Sequence, residues 1–81
     1  MTKEELKELI ETGREIEFTY NKKRYSITYS NENVKDYISF CEFYKETTDV
    51  SSVDELCNVK RDDVTVLEML ESITDKDISV Y

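Results

Sequence analysis

Residues 18–30 read FTYNKKRYSITYS. Apolar and polar residues alternate on either side of a charged centre, which is the two-residue period of strands joined by a turn. Working outward, Ile16, Phe18 and Tyr20 share one side while Glu15, Glu17 and Thr19 take the other, and Tyr25, Ile27 and Tyr29 repeat the pattern. A loop of two or four residues puts both apolar sets on one face, whereas three residues without a bulge would oppose them. The spacing therefore predicts an antiparallel hairpin over residues 14–30 with an even loop within Asn21 to Arg24.

Upstream, Thr2-Lys3-Glu4-Glu5 is a capping box in which Thr2 and Glu5 satisfy each other's free backbone N–H groups, with Met1 placed to staple onto Leu6. Leu6, Leu9 and Ile10 then fall on one helical face, and Gly13 supplies a left-handed cap, so a helix is expected from about residue 3 to 12. Downstream, Tyr37 to Lys45 reads as a third strand. Its phase is mixed, because Ile38 and Phe40 suit one face while Cys41 and Phe43 suit the other and Glu42 follows Phe40. Either the strand is apolar on both faces or a bulge near Cys41 and Glu42 shifts the phase, and the bulge is the preferred expectation.

After a polar link, Ser52-Val53-Asp54-Glu55 opens a short helix through about Cys57, and Thr65-Val66-Leu67-Glu68 opens another to about residue 73, with Val64 placed to staple onto Met69. Ile78-Ser79-Val80-Tyr81 alternates and could add a short final strand. The expected fold is α+β over residues 1–81 as a single domain. It has an N-terminal helix, a β-hairpin plus a third strand, and two C-terminal helices on one face of a small sheet. The expected common core includes Ile16, Phe18, Ile27, Leu67 and Leu70.

Composition narrows the chemistry. There is no histidine, so Ser-His and Cys-His nucleophile systems and histidine-bearing zinc sites are excluded. The single glycine excludes a P-loop or dinucleotide fingerprint, and two cysteines, Cys41 and Cys57, are too few for four-cysteine zinc or a secreted disulfide scaffold. Asp75, Asp77 and Ser79 have the opening spacing of a calcium loop, but Val80 stands where its glycine must be. The expectation is a non-enzymatic protein without metal or cofactor. The charged N-terminus MTKEELKELIETG and the absence of long apolar runs add the expectation of a cytoplasmic protein with no membrane partner.

The stretch GREIEFTYNKKRYSITY, residues 13–29, together with the acidic C-terminal part, resembles short uncharacterised acidic proteins of Gram-positive bacteria and their phages. In them the turn is Asn-Gly, whereas Lys22 follows Asn21 here, and the resemblance implies no active site.

Two surfaces compete for a partner. Lys22, Lys23 and Arg24, flanked by Tyr20, Tyr25 and Tyr29, have the cation and ring content of a single-stranded nucleic-acid site. Those tyrosines share the apolar face of the hairpin, however, and a net charge of −8 repels phosphate, so no direct nucleic-acid binding is expected. The charge excess is uneven: residues 1–31 hold six acids and six bases, residues 32–81 thirteen acids and five bases. Glu68, Glu71 and Asp75, flanked by Asp62, Asp63 and Asp77 and joined by Glu42, Glu46 and Asp49, form the candidate acidic face. The leading expectation is a phage or mobile-element inhibitor that mimics nucleic acid on the basic surface of a nucleic-acid-handling protein, an anti-CRISPR protein being one concrete form. The alternative is a host accessory domain that binds a protein through its sheet edge and apolar surface, its acids serving only solubility.

Overall fold

The computed structural model describes residues 1–32 and 35–81. Its chain order is α1 (Lys3–Glu11), β1 (Ile16–Tyr20), β2 (Lys23–Glu32), β3 (Lys35–Glu42), β4 (Thr48–Val50), α2 (Val53–Cys57), β5 (Lys60–Arg61), β6 (Val64–Thr65), α3 (Val66–Ser72), a 3-10 turn at Asp75–Asp77 and β7 (Ile78–Val80). The fold is α+β. Strands run in the antiparallel order β4-β3-β2-β1-β7, and β5 with β6 forms a separate small hairpin.

The hairpin alternation sets the register. Ile16 lies opposite Ile27 and Phe18 opposite Tyr25, while Ile27 and Tyr29 face Phe40 and Ile38 across β2 and β3. Tyr20 and Lys23 close a two-residue loop in which Asn21 and Lys22 both have positive φ, +50° and +66°, as the tight turn matched to strand twist requires. The even loop is therefore present, and both apolar sets face one way.

All three helices cover that face. Leu6 and Ile10 of α1, Leu56 and Cys57 of α2, and Val66, Met69 and Leu70 of α3 are buried with Ile16, Phe18, Tyr25, Ile27, Ile38 and Phe40 in one cluster. The Phe18, Tyr25 and Phe40 rings stack at its centre, with centroids 5.3 to 6.4 Å apart. The opposite face carries small polar side chains, Thr19, Ser26, Thr28 and Ser39 among them, as an antiparallel sheet with one solvated side does.

Local signals hold at the helix ends. Thr2 with Glu5 and Thr65 with Glu68 form complete capping boxes, and Gly13 has φ +74° after the α1 C-cap. At α2 only half the box forms: Ser52 Oγ accepts from Glu55 N–H, but the Glu55 carboxylate turns to Ser51, whose hydroxyl donates to it at 2.6 Å.

Several expectations need correction. No bulge interrupts β3: Ser26 pairs with Cys41 and Tyr25 with Glu42 in unbroken register. Glu42 falls on the core side at the strand end, where it is partly exposed beside Lys23, so its charge is met without a phase shift. Leu67 is only partly buried and packs against the core from outside, whereas Leu70 is fully buried. The polar link contains β4, and the stretch before α3 contains the β5–β6 hairpin; strands of two or three residues are too short for alternation to show. That hairpin is fastened by Val66 N–H donating to Val59 C=O at 2.9 Å, and by Arg61, which donates to Thr48 Oγ at 2.6 Å and lies over the Phe40 ring. Among the described residues no helix is long and apolar enough to cross a membrane.

Candidate functional site

Each helix turns one stripe to the sheet, so its charged residues point outward. On α1 these are Glu4, Glu5, Glu8 and Glu11; on α2, Asp54 and Glu55; on α3, Glu68 and Glu71; on the following 3-10 turn, Asp75 and Asp77. All are exposed, and the only cations in the same elements are Lys3, Lys7 and Lys76. None of α1, α2 and α3 has a basic residue in its last turn. Folding thus gathers the acids of α1, which lie in the charge-balanced half of the sequence, onto the same side as Glu68, Glu71, Asp75 and Asp77. The even charge of residues 1–31 hid these α1 acids, because three of the six cations in that segment, Lys22, Lys23 and Arg24, stand at the hairpin tip.

Within this side Glu68 also caps α3, accepting from Thr65 N–H at 3.3 Å and Thr65 Oγ at 2.9 Å. Asp54 pairs with Lys3, which holds the carboxyl below its usual range and raises the ammonium above its own. Glu71 has no hydrogen-bond or ion-pair partner among the described residues.

The other candidate acids lie elsewhere. Asp62 and Asp63 form the positive-φ turn between β5 and β6, and Asp62 Oδ2 is 2.8 Å from Lys23 Nζ. Glu42 approaches the same ammonium at 4.0 Å. Glu42, Glu46 and Asp62 line a hollow of about 480 Å³ with Lys23, Lys45 and Arg61, a mixed-charge site instead of an acidic one. Asp49 belongs to the open sheet face, where its carboxylate accepts from Ser39 Oγ at 2.8 Å.

At the hairpin tip Tyr25 is buried and Tyr20 packs against the core, and Tyr29 stands farther along β2 opposite Ile38, so these rings form no stacking platform beside the tip cations. Lys23 is met by Asp62 and Glu42, and Arg24 by Glu17 at 3.3 Å. Sequence reasoning missed the aromatics that are accessible there. The Arg24 guanidinium lies 5.2 Å from the Phe43 ring centroid, and Phe43 meets Tyr44 edge-on. Two adjacent aromatics at a strand end cannot both face the core, and that was the available signal.

A second hollow, about 640 Å³, opens between α1, α2 and the far ends of β2 and β3. Ile10, Tyr29, Tyr37, Ile38 and Val53 give it apolar walls, and Glu4, Glu11, Asp36 and Asp54, with Lys3 and Lys7, give it charged ones. Burial and the neighbouring Asp36 push the Tyr29 phenol up from its ordinary value, so it stays neutral and able to donate. Among the described residues no group of three or more His, Cys, Asp or Glu is placed to hold a metal ion.

No family model matches the chain, and no curated protein or solved structure matches it either.

Proposed function

We propose that this chain is a non-catalytic binding protein whose acidic helical side occupies the basic surface of a nucleic-acid-handling protein, keeping nucleic acid from it. The observation that carries the reading is the charge of the helical side: exposed carboxylates on every helix with few cations among them. Spaced carboxylates on rigid helices present a charge pattern that steers association with a basic groove and sets its specificity. An inhibitor of the anti-CRISPR kind is the concrete form of this proposal, and its phage or mobile-element origin rests on the sequence resemblance alone.

The test is affinity capture from the native host with the wild-type chain, with Glu68→Lys/Glu71→Lys, and with Lys22→Glu/Lys23→Glu/Arg24→Glu. The captured protein is then assayed for nucleic-acid binding with and without the chain. The reading expects a nucleic-acid-binding partner that is released by duplex DNA or RNA, weakened by salt through screening, and lost with the helix reversal but kept with the hairpin reversal. Binding that survives both salt and the helix reversal would instead support an accessory domain using its sheet edge and apolar surface.

A further inference from the structure

Tyr44 combines two features that folding alone disfavours. It is the third residue of the turn Glu42–Lys45, closed by Lys45 N–H donating to Glu42 C=O at 3.0 Å, and its φ is +66°. Glycine or asparagine normally fills that position because a bulky side chain is strained there. The ring is also 100% exposed, so burial offsets none of the strain. Phe43 meets it edge-on at 6.2 Å and 87°, and Arg24 lies over Phe43 from the neighbouring strand. An outlying backbone that holds out a large ring is a reason to look for a partner, and Tyr and Arg are the residues enriched where partners bind most strongly. Lys45, which follows Tyr44 in the chain, and Lys22, in the β1–β2 turn, have no ion-pair partner among the described residues.

The complement of this projection exists on the same chain. The 640 Å³ hollow is large enough for an aromatic side chain, offers the Tyr29 ring beside Ile10, Ile38 and Val53, and carries Glu4, Glu11 and Asp36 against Lys7, its other cation Lys3 being paired with Asp54. It lies toward the opposite end of β2 and β3 from Tyr44, beyond the Tyr29–Ile38 pair, whereas Tyr44 follows the Tyr25–Glu42 pair. A molecule cannot fill its own hollow across the length of its strands.

We propose that Tyr44 of one copy seats in this hollow of a second copy, with Lys22 and Lys45 meeting its carboxylates. The two surfaces differ, so the contact is heterologous, and a copy that lacks one of them can only end a chain of copies. The net charge of −8 opposes approach, which makes the association weak and in need of screening salt. Single-stranded nucleic acid on Tyr44 is the competing occupant, disfavoured because Lys23 and Arg24 are already paired with carboxylates.

The experiment is sedimentation equilibrium from about 10 µM to about 1 mM protein, the range of weak association, in about 0.15 M salt. The weight-average mass of the wild type is expected to rise with concentration. Tyr44→Gly and Glu4→Lys/Glu11→Lys should each stay monomeric, the glycine variant with a Tm no lower than wild type because strain is removed. Their equimolar mixture should form a heterodimer and nothing larger. A wild type that stays monomeric throughout, a glycine variant that associates like wild type, or a mixture that gives no heterodimer overturns the proposal. So does a monomeric wild type that binds oligothymidylate in a Tyr44-dependent way, which assigns the ring to base stacking.

Discussion

Lys23 Nζ lies 2.8 Å from Asp62 Oδ2, joining the tip of the β1–β2 hairpin to the turn of the β5–β6 hairpin across 39 residues of sequence. The contact lowers the Asp62 pKa from 3.8 and raises that of Lys23 from 10.5, in each case mainly through the hydrogen bond between them. Lys3 and Asp54 repeat the arrangement between α1 and α2.

The pH dependence of stability follows from these directions. A depressed carboxyl contributes fully above 3.8 and loses its contribution as the pH falls through the folded-state value; a raised ammonium contributes fully below 10.5 and loses it as the pH rises. Burial pushes the Cys57 thiol up from 9.0, so stability also declines once the unfolded chain can ionise there. With no histidine to titrate between, Tm should be flat from about pH 5 to about pH 8. A melting series with a step inside that interval would contradict this account.

The two tight turns hold non-glycine residues at φ +66°, Lys22 in the first and Asp63 in the second. Lys22→Gly and Asp63→Gly create the Asn-Gly and Asp-Gly pairs suited to such turns and should each raise stability by up to about 1 kcal/mol, strain relief outweighing the entropy glycine adds to the unfolded chain. Urea midpoints measure it. A lowered midpoint for both would show that the side chains themselves hold the turns.

Leu70 is fully buried and Leu67 only partly. Leu70→Ala should cost roughly 2 to 5 kcal/mol, and Leu67→Ala clearly less because water already reaches it. Equilibrium denaturation of the two variants is the check, and a Leu70→Ala loss under about 0.5 kcal/mol, the range of surface changes, would place that residue outside the core.

Cys41 is half-buried on the open sheet face, its sulfur 3.3 Å from Ser26 Oγ, whereas Cys57 is buried in α2 with a raised pKa. Brief alkylation of the native protein followed by mass spectrometry should label Cys41 first. Melting curves with reductant or chelator should overlay those without, and a lower midpoint with either would reveal a disulfide or metal contribution.

The sequence by itself determined the parts whose causes are local. Thr2 with Glu5 and Thr65 with Glu68 close hydrogen bonds three residues apart, and the alternation around Asn21 and Lys22 sets both the strands and the parity of their loop. What only the tertiary structure decided were relations between distant residues. β4 and the β5–β6 hairpin are too short to carry a period and exist because β3, Phe40 and Val59 give them partners. Glu42 could sit on the core side because Lys23 stood opposite the strand end. The acids of α1 joined those of α3 because helix packing on one sheet face turns every polar stripe the same way, whatever the charge balance of the segment it came from. Tyr44 was set apart from the core by a turn whose hydrogen bond holds its backbone in the left-handed region, a geometry that no side-chain pattern announces.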